Sequence, residues 1–468
     1  MAKAFVLSMK SPEAILEPNP PLYYEILSLW MRCFGEGEFA VRFLSLICGV
    51  ASIIITYKLG KLFGDNKIGL GGALLLAVSP MHIWFSQEAR GYALLTFLLL
   101  AKIYFFLQVL IKNRKFSWIS FSIFSVLSLY THYFALIILL PEMAILLLFR
   151  EHRHLFKRWI FCYTILFMCF LPWLSVFLKN LGGIVDSFWI AKPSLNSLFA
   201  TFSNLTLGYN ASKFIEPAVC LCLVLTIIGV CKHEEYNSMP LYFLIFLLAP
   251  ILGIFLFSVF VAPIYLDRYF ISLAPFYYLL IISGFTKFKS LYIKTGISFF
   301  IFLSLFCALI NYFTDYLPSK EINSGIYTKK PFKKAAYYVK QNLLDEDLLV
   351  HTNPSTRYPF YYYLEDNNKN MENAGDPKDT KSSYLFFIPD LLNKFWYRLL
   401  TNSKLPWAIN ISEGIDCLKY KRIWLISANW DRSGLEQNSI EVRKSISRYH
   451  RLVSTKNIDG IYIDLYAK

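Results

Sequence analysis

Residues 240–261 read PLYFLIFLLAPILGIFLFSVFV and carry no charged side chain. An apolar run of about 20 residues is long enough to cross the hydrocarbon core of a bilayer as a helix. The chain repeats this pattern, with candidate spans at 39–58, 68–87, 91–111, 117–133, 134–150, 159–178, 216–231, 240–261, 269–285 and 292–313. Helices satisfy their backbone hydrogen bonds within each segment. A membrane β-barrel would instead alternate polar and apolar residues, which stretches such as ALLLAV (73–78) do not. Hydrophobic residues make up 56% of the chain and charged ones only 17%, far from the balance of a soluble domain. The sequence therefore specifies an all-α polytopic membrane domain of about ten helices.

Basic residues at the connections set its orientation. One set of loops carries Lys58, Lys61, Lys67, Lys112, Arg114, Lys115, Arg150, Arg153, Lys157, Arg158, Lys232, Lys287, Lys289 and Lys294. The opposite set carries only Arg90, Lys179, Lys192, Lys213 and Arg268. The first set is expected in the cytoplasm, so Glu88, Arg90, Asp267–Arg268, 179–215 and everything after 314 are expected outside. This asymmetry accounts for part of the +15 net charge and excludes a nucleic-acid-binding reading. Residues 1–38 would also lie outside, although no span precedes them. Most of the nine cysteines fall in or beside spans, and Cys417 alone lies in the C-terminal region, so no disulfide framework is expected.

Three domains are expected: an external segment at 1–38, the membrane domain at 39–313 and an extracytoplasmic α/β domain at 314–468. In the first, YYEILSLWMRCF (23–34) has helical periodicity and aromatic content suited to the membrane interface. In the third, 331–343 and 441–450 read as helices. Strands are expected at 346–352, 384–388, 422–428, 451–455 and 461–466. The stretch 179–215 reads equally as a capping connection or a disordered loop. No internal repeat supports the plan common in transporters.

The chemistry-bearing candidates cluster at the external ends. Within SPMHIWFSQEARGYALL (79–95), Ser86 is expected to cap the next helix and Glu88 to complement its positive end. Arg90 and Arg268 can anchor to lipid headgroups, or clamp a phosphate with the planar fork of guanidinium. Tyr92 and Tyr269 flank them in sequence. His132, in LYTHYFA (129–135), reads as a satisfied structural group more readily than a ligand, and neither it nor His82 has metal-ligand spacing. Lys102 and Glu142 fall inside spans, roughly 16 and 14 Å from the external side at the helical rise per residue. Ions at that depth are costly, so the two are expected to approach each other or a water-filled cavity.

The motifs NPPLYYEILSLWMRCFGEGEFAVRFLS (19–45), 79–95, LYTHYFA, LDRYFISLAPF (266–276) and 329–355 together resemble GT-C membrane glycosyltransferases. The resemblance is to bacterial relatives of the dolichyl-phosphate-mannose protein mannosyltransferases and of the lipid A aminoarabinose transferase. It implies transfer of a sugar from a polyprenyl-phosphate-linked donor to an extracytoplasmic glycan, lipid or protein acceptor, by a multi-pass protein of the bacterial inner membrane. It also implies a donor pocket lined by Glu88, Arg90, Tyr92, Arg268, Tyr269, Asn19, Tyr23, His132 and Tyr133. Where relatives carry His or an acid near a metal, Asn19 is a neutral, weaker ligand. No cofactor is therefore certain, and a divalent metal stays open. Relatives place the presumed catalytic Asp in an acidic pair after a first membrane helix, and that pair is expected upstream of Met1. The catalytic residue is accordingly unknown. Two alternatives are a truncated or non-catalytic member acting in envelope glycan assembly, and a lipid or solute transporter.

Overall fold

The computed structural model describes residues 19–63, 65–187, 190–209, 216–231, 238–314, 331–344, 347–352, 354–365, 383–386, 420–428 and 435–468. Glu13, Glu17, Lys213, Lys232, Cys417 and the end of the 384–388 strand lie outside them. The chain divides into two units, Met1–Ile326 and Tyr327–Lys468.

The first unit is helical: α1 Leu22–Phe34, α2 Glu38–Gly60, α3 Asn66–Ala77, α4 Pro80–Ser86, α5 Tyr92–Lys112, α6 Lys115–Leu129, α7 Leu139–Leu148, α8 Phe156–Ser187, α9 Leu195–Leu207, α10 Pro217–Val230, α11 Met239–Phe260, α12 Ala274–Thr286 and α13 Leu291–Phe313. Among the described residues six helical segments are long and apolar enough to cross a membrane, or seven if the bent pair α3–α4 counts as one. Three shorter apolar segments, Lys115–Leu129, Tyr133–Leu148 and Pro217–Val230, supply the rest of the expected positions. The protein is an integral membrane protein, and its exposed stripes agree. Leu46, Ile47, Val50 and Ile54 form one exposed apolar face of α2, as a lipid-facing helix requires.

Three departures from regular helix have local causes. The 68–87 span is bent by 63° between α3 and α4, because Pro80 has no N–H with which to continue α3. The Ser79 hydroxyl accepts from the His82 amide and starts a new helix there. Two 3₁₀ turns, Tyr133–Ile138 and Asp267–Leu273, precede α7 and α12. Each is followed by a proline, Pro141 or Pro275, which cannot donate backwards into an α-helical ladder, so the preceding turn tightens. The 179–215 stretch is not simply a connection. It contains the end of α8 and the whole of α9, which starts in a capping box between Ser194 and Ser197.

Close packing relies on glycine where α10 crosses α12. A Cβ on Gly229 would lie 2.1 Å from the Leu280 carbonyl oxygen, and one on Gly284 would lie 2.0 Å from that of Leu225. Small residues let α10 and α12 meet backbone to backbone, the usual economy of membrane helices. Gly229→Ala is therefore expected to destabilise the protein by about 2–3 kcal/mol through overpacking. Thermal unfolding in detergent checks this, and an unchanged midpoint would show that the two helices are free to separate.

The Lys102–Glu142 expectation is met as a direct pair. Lys102 Nζ lies 3.0 Å from Glu142 Oε1, and the side chains are 2% and 0% exposed. The Tyr163 hydroxyl accepts from Lys102 Nζ at 3.0 Å and donates to Glu142 Oε2 at 2.6 Å. Trp159 Nε1 donates to the same oxygen at 3.1 Å. The network ties α5, α7 and α8 together.

The second unit is a three-layer α/β domain: α14 Phe332–Asn342, β1 Leu348–His351, α15 Pro354–Glu365, β2 Ser383–Phe386, β3 Arg422–Ala428, α16 Leu435–Ile446, β4 Arg451–Ile458 and β5 Ile461–Ala467. The strand order is β2-β1-β3-β5-β4, parallel across β2-β1-β3 and antiparallel beyond. Alternation along the strands sends Leu349, Trp424 and Ile426 towards α14 and α15, and Leu348, Val350, Ile423 and Leu425 towards α16. The Asp459–Gly460 turn has both φ values positive, the geometry that closes a two-residue hairpin.

Candidate functional site

The site is assembled from four chain segments of the first unit. The Leu22 amide donates to the Tyr130 carbonyl at 2.9 Å, which ties the start of α1 to the end of α6. A Cβ on Gly91 would lie 3.4 Å from Thr131 and 3.5 Å from Tyr23, so the turn before α5 packs into the same corner. The 3₁₀ turn at 267–273 closes the group, with the Tyr269 ring 5.1 Å from that of His132 and 5.9 Å from that of Phe134.

Glu88 and Arg90 lie in a turn, not in a helix start. α4 ends at Ser86, and α5 begins at Tyr92 behind Gly91 with no side-chain cap. The expectation that Ser86 caps the next helix is therefore wrong. Ser86 is buried at the end of α4 against Gly49. Its failure as a cap frees the turn Gln87–Gly91 to present Glu88 and Arg90 independently of helix geometry.

Tyr92 is the hub. The Arg90 guanidinium carbon stands 5.6 Å from the centre of its ring, a cation–π contact. The Arg268 guanidinium interacts with the same phenol. Phe85 and His132 flank the ring at 5.0 and 5.9 Å. Two guanidinium groups thus converge on one buried phenol. Asp267 is engaged elsewhere: its carboxylate accepts from Asn204 Nδ2 of α9 and from backbone amides of its own turn. Burial, with Arg90 adding to it, pushes the His132 imidazole down to about 4, so it is neutral at physiological pH and its Nδ1 accepts from the Phe134 amide at 3.1 Å. Burial likewise raises the Tyr23 phenol, with Glu88 among the lesser causes, and its hydroxyl lies 3.3 Å from the Ser45 Oγ.

Of the expected residues, Tyr23, Glu88, Arg90, Tyr92, His132, Arg268 and Tyr269 come together. Asn19 lies at the beginning of the segment that leads into α1. Tyr133 turns towards α8, where its hydroxyl accepts from Trp173 Nε1 at 3.0 Å and its ring meets Phe177 at 4.8 Å. Sequence reasoning missed Gln87, whose Oε1 accepts from the Tyr312 hydroxyl at 2.9 Å, and it missed Asn204 and Tyr209. The available signal was the polar periodicity of LNSLFATFSNLTL (195–207), a helix that hydropathy alone does not reveal. Among the described residues no three His, Cys, Asp or Glu side chains converge to hold a metal ion.

Comparison with known proteins places these features. Residues 18–176 match the family model of dolichyl-phosphate-mannose-protein mannosyltransferase. A crystal structure of ArnT from Cupriavidus metallidurans bound to undecaprenyl phosphate superposes with a TM-score of 0.62 at 10% identity, covering 96% of this chain and 88% of that one. The apo structure of the same protein gives 0.61 at 10% identity, covering 100% and 91%. At this identity the likeness is one of fold. An uncharacterized protein of Aquifex aeolicus is 27% identical over 99 residues, a match spanning 21% of this chain and about a fifth of that relative. The chain is a membrane protein with the fold of ArnT, and its residues 18–176 are similar to the dolichyl-phosphate-mannose-protein mannosyltransferase family.

Proposed function

We propose that the chain transfers a sugar from a polyprenyl-phosphate-linked donor to an extracytoplasmic acceptor, working in the bacterial inner membrane with the C-terminal unit outside. The observation that carries this reading is the convergence of Arg90 and Arg268 on Tyr92. In the sequence-derived topology this lies at the external helix ends, where a lipid-borne phosphate is accessible from the side. Undecaprenyl phosphate bound to the ArnT of like fold supports the same choice of donor.

The chemistry assigns roles to these residues. A sugar leaving its carrier gives negative charge to the lipid phosphate, and guanidinium groups held in place beforehand stabilise that charge. Arg268 is the phosphate ligand, its fork matched to phosphate oxygens. Arg90 adds a second positive charge, while Glu88, Tyr23, Tyr269 and Asn19 line the mouth. His132 supports the aromatic wall as a neutral ring. Acceptor activation needs a general base, and none is assigned to these residues.

The test is a panel of polyprenyl phosphates carrying different radiolabelled sugars, supplied to membranes containing the full chain. Label should move from the carrier to a non-carrier product for one sugar class. Label that stays on every carrier, with the carriers nonetheless bound, would replace the enzyme reading by a binding role in glycan assembly.

A further inference from the structure

Tyr209 lies just beyond α9, within the 179–215 stretch. Its side chain is 2% exposed, and its hydroxyl has no hydrogen-bond partner among the described residues. A buried hydroxyl left unsatisfied is costly, so its position calls for a ligand.

The surrounding packing fixes the ring and leaves the hydroxyl for that ligand. Gly208 precedes it with φ +72, and its α-carbon is pressed against Pro80, where a Cβ would come within 2.8 Å. Trp84 and Phe85 meet the Tyr209 ring edge-on at 5.7 and 6.2 Å. Phe85 in turn packs on Tyr92, the residue on which both guanidinium groups converge. One turn earlier on α9, Asn204 holds Asp267 beside Arg268. Burial raises the phenol well above its ordinary range, and Asp267, Arg268, Tyr92 and Glu88 all act on it. The hydroxyl therefore remains protonated, within electrostatic reach of Arg268.

We propose that Tyr209 is a binding residue of this site, its hydroxyl donating a hydrogen bond to an oxygen of the donor's lipid-linked phosphate alongside Arg268. The inference rests on the proposed lipid-phosphate reading and adds to it a ligand from α9. The helix thereby becomes part of the donor pocket: Asn204 orients the 267–268 turn, and Tyr209 contacts the phosphate. Phosphate oxygens are acceptors only, so a neutral donor beside two guanidinium groups adds a hydrogen bond without adding charge.

The experiment measures binding of undecaprenyl phosphate and of undecaprenol to the full chain in detergent, for the parent and for Tyr209→Phe. The parent should prefer the phosphate. Tyr209→Phe should lose about tenfold or more of its affinity for undecaprenyl phosphate, as expected for a hydrogen bond to a charged group, and keep its affinity for undecaprenol. Without lipid, its unfolding midpoint should equal or exceed that of the parent, because the substitution removes an unsatisfied group. Full phosphate affinity in Tyr209→Phe, beside a parent that prefers phosphate, would overturn the Tyr209 role and leave the lipid-phosphate reading intact. A lower midpoint without lipid would overturn it too, by showing that the hydroxyl serves the fold. A parent that binds undecaprenol as well as the phosphate, or binds neither, would remove both.

Discussion

Lys102→Ala should destabilise the membrane domain by about 3–5 kcal/mol, the cost of leaving one partner of a buried pair uncompensated. Glu142 would remain at 0% exposure with its cation gone. Tyr163 and Trp159 still donate to one carboxylate oxygen, but two neutral donors do not replace an ammonium. Removing the acid instead should cost a similar amount. The double substitution Lys102→Met with Glu142→Gln should recover most of the loss, because the amide oxygen still accepts from Tyr163 and Trp159 while both charges disappear. Thermal unfolding in detergent of the parent, Lys102→Met, Glu142→Gln and the double variant forms a double-mutant cycle. A double variant as unstable as the sum of the singles would mean that the two ions do not act as a pair. The burial and direct pairing of these two ions also speak against the transporter alternative, for which these two charges were the sequence's only support.

The second large effect is functional. Arg268→Ala should lower undecaprenyl phosphate affinity by a hundredfold or more, because the residue supplies charge and planar geometry together. Arg268→Lys should recover only part of the loss, since an ammonium keeps the charge but not the fork. The fold should survive the change, because Arg268 sits in a 3₁₀ turn whose anchors are Asp267, Phe270 and Ile271, all buried. Binding of undecaprenyl phosphate by Arg268→Ala at parental affinity would take this residue out of the site.

Much of this was legible in the sequence because hydropathy and loop charge are local properties. Each expected span coincides with a helical segment, and the topology argument brought 88–92, 132 and 267–269 to one face before any contact was known. Lys102 and Glu142 could be paired from depth alone, since two ions at similar depth have few alternatives to each other. The bend at Ser79–Pro80 was visible in residues already quoted, but a window of hydropathy averages across it.

The part that was not legible involves contacts between residues far apart in sequence. α9 places Thr201 against Tyr265, Thr206 against Tyr277 and Asn204 against Asp267. Its polar face is thus buried against side chains more than sixty positions away. Seen alone, the same residues look like a solvated connection. Tyr209 follows the same logic: nothing around it in sequence marks it, while Trp84 and Phe85 pack on its ring and Pro80 abuts the preceding Gly208. The helix α15 was missed for a different reason. Pro359 lies inside it and argues against a helix, yet burial of Phe360 against Phe332 and His351 stabilises the element.

The most direct test of the donor site is photolabelling of the full chain with an undecaprenyl phosphate analogue bearing its photoreactive group at the phosphate. Mapping of the labelled peptides should place the label within 84–92 and 265–270, and excess undecaprenyl phosphate should suppress it. Label confined to the opposite helix ends, around 113–115 or 287–290, would contradict a lipid-linked phosphate held by Arg268.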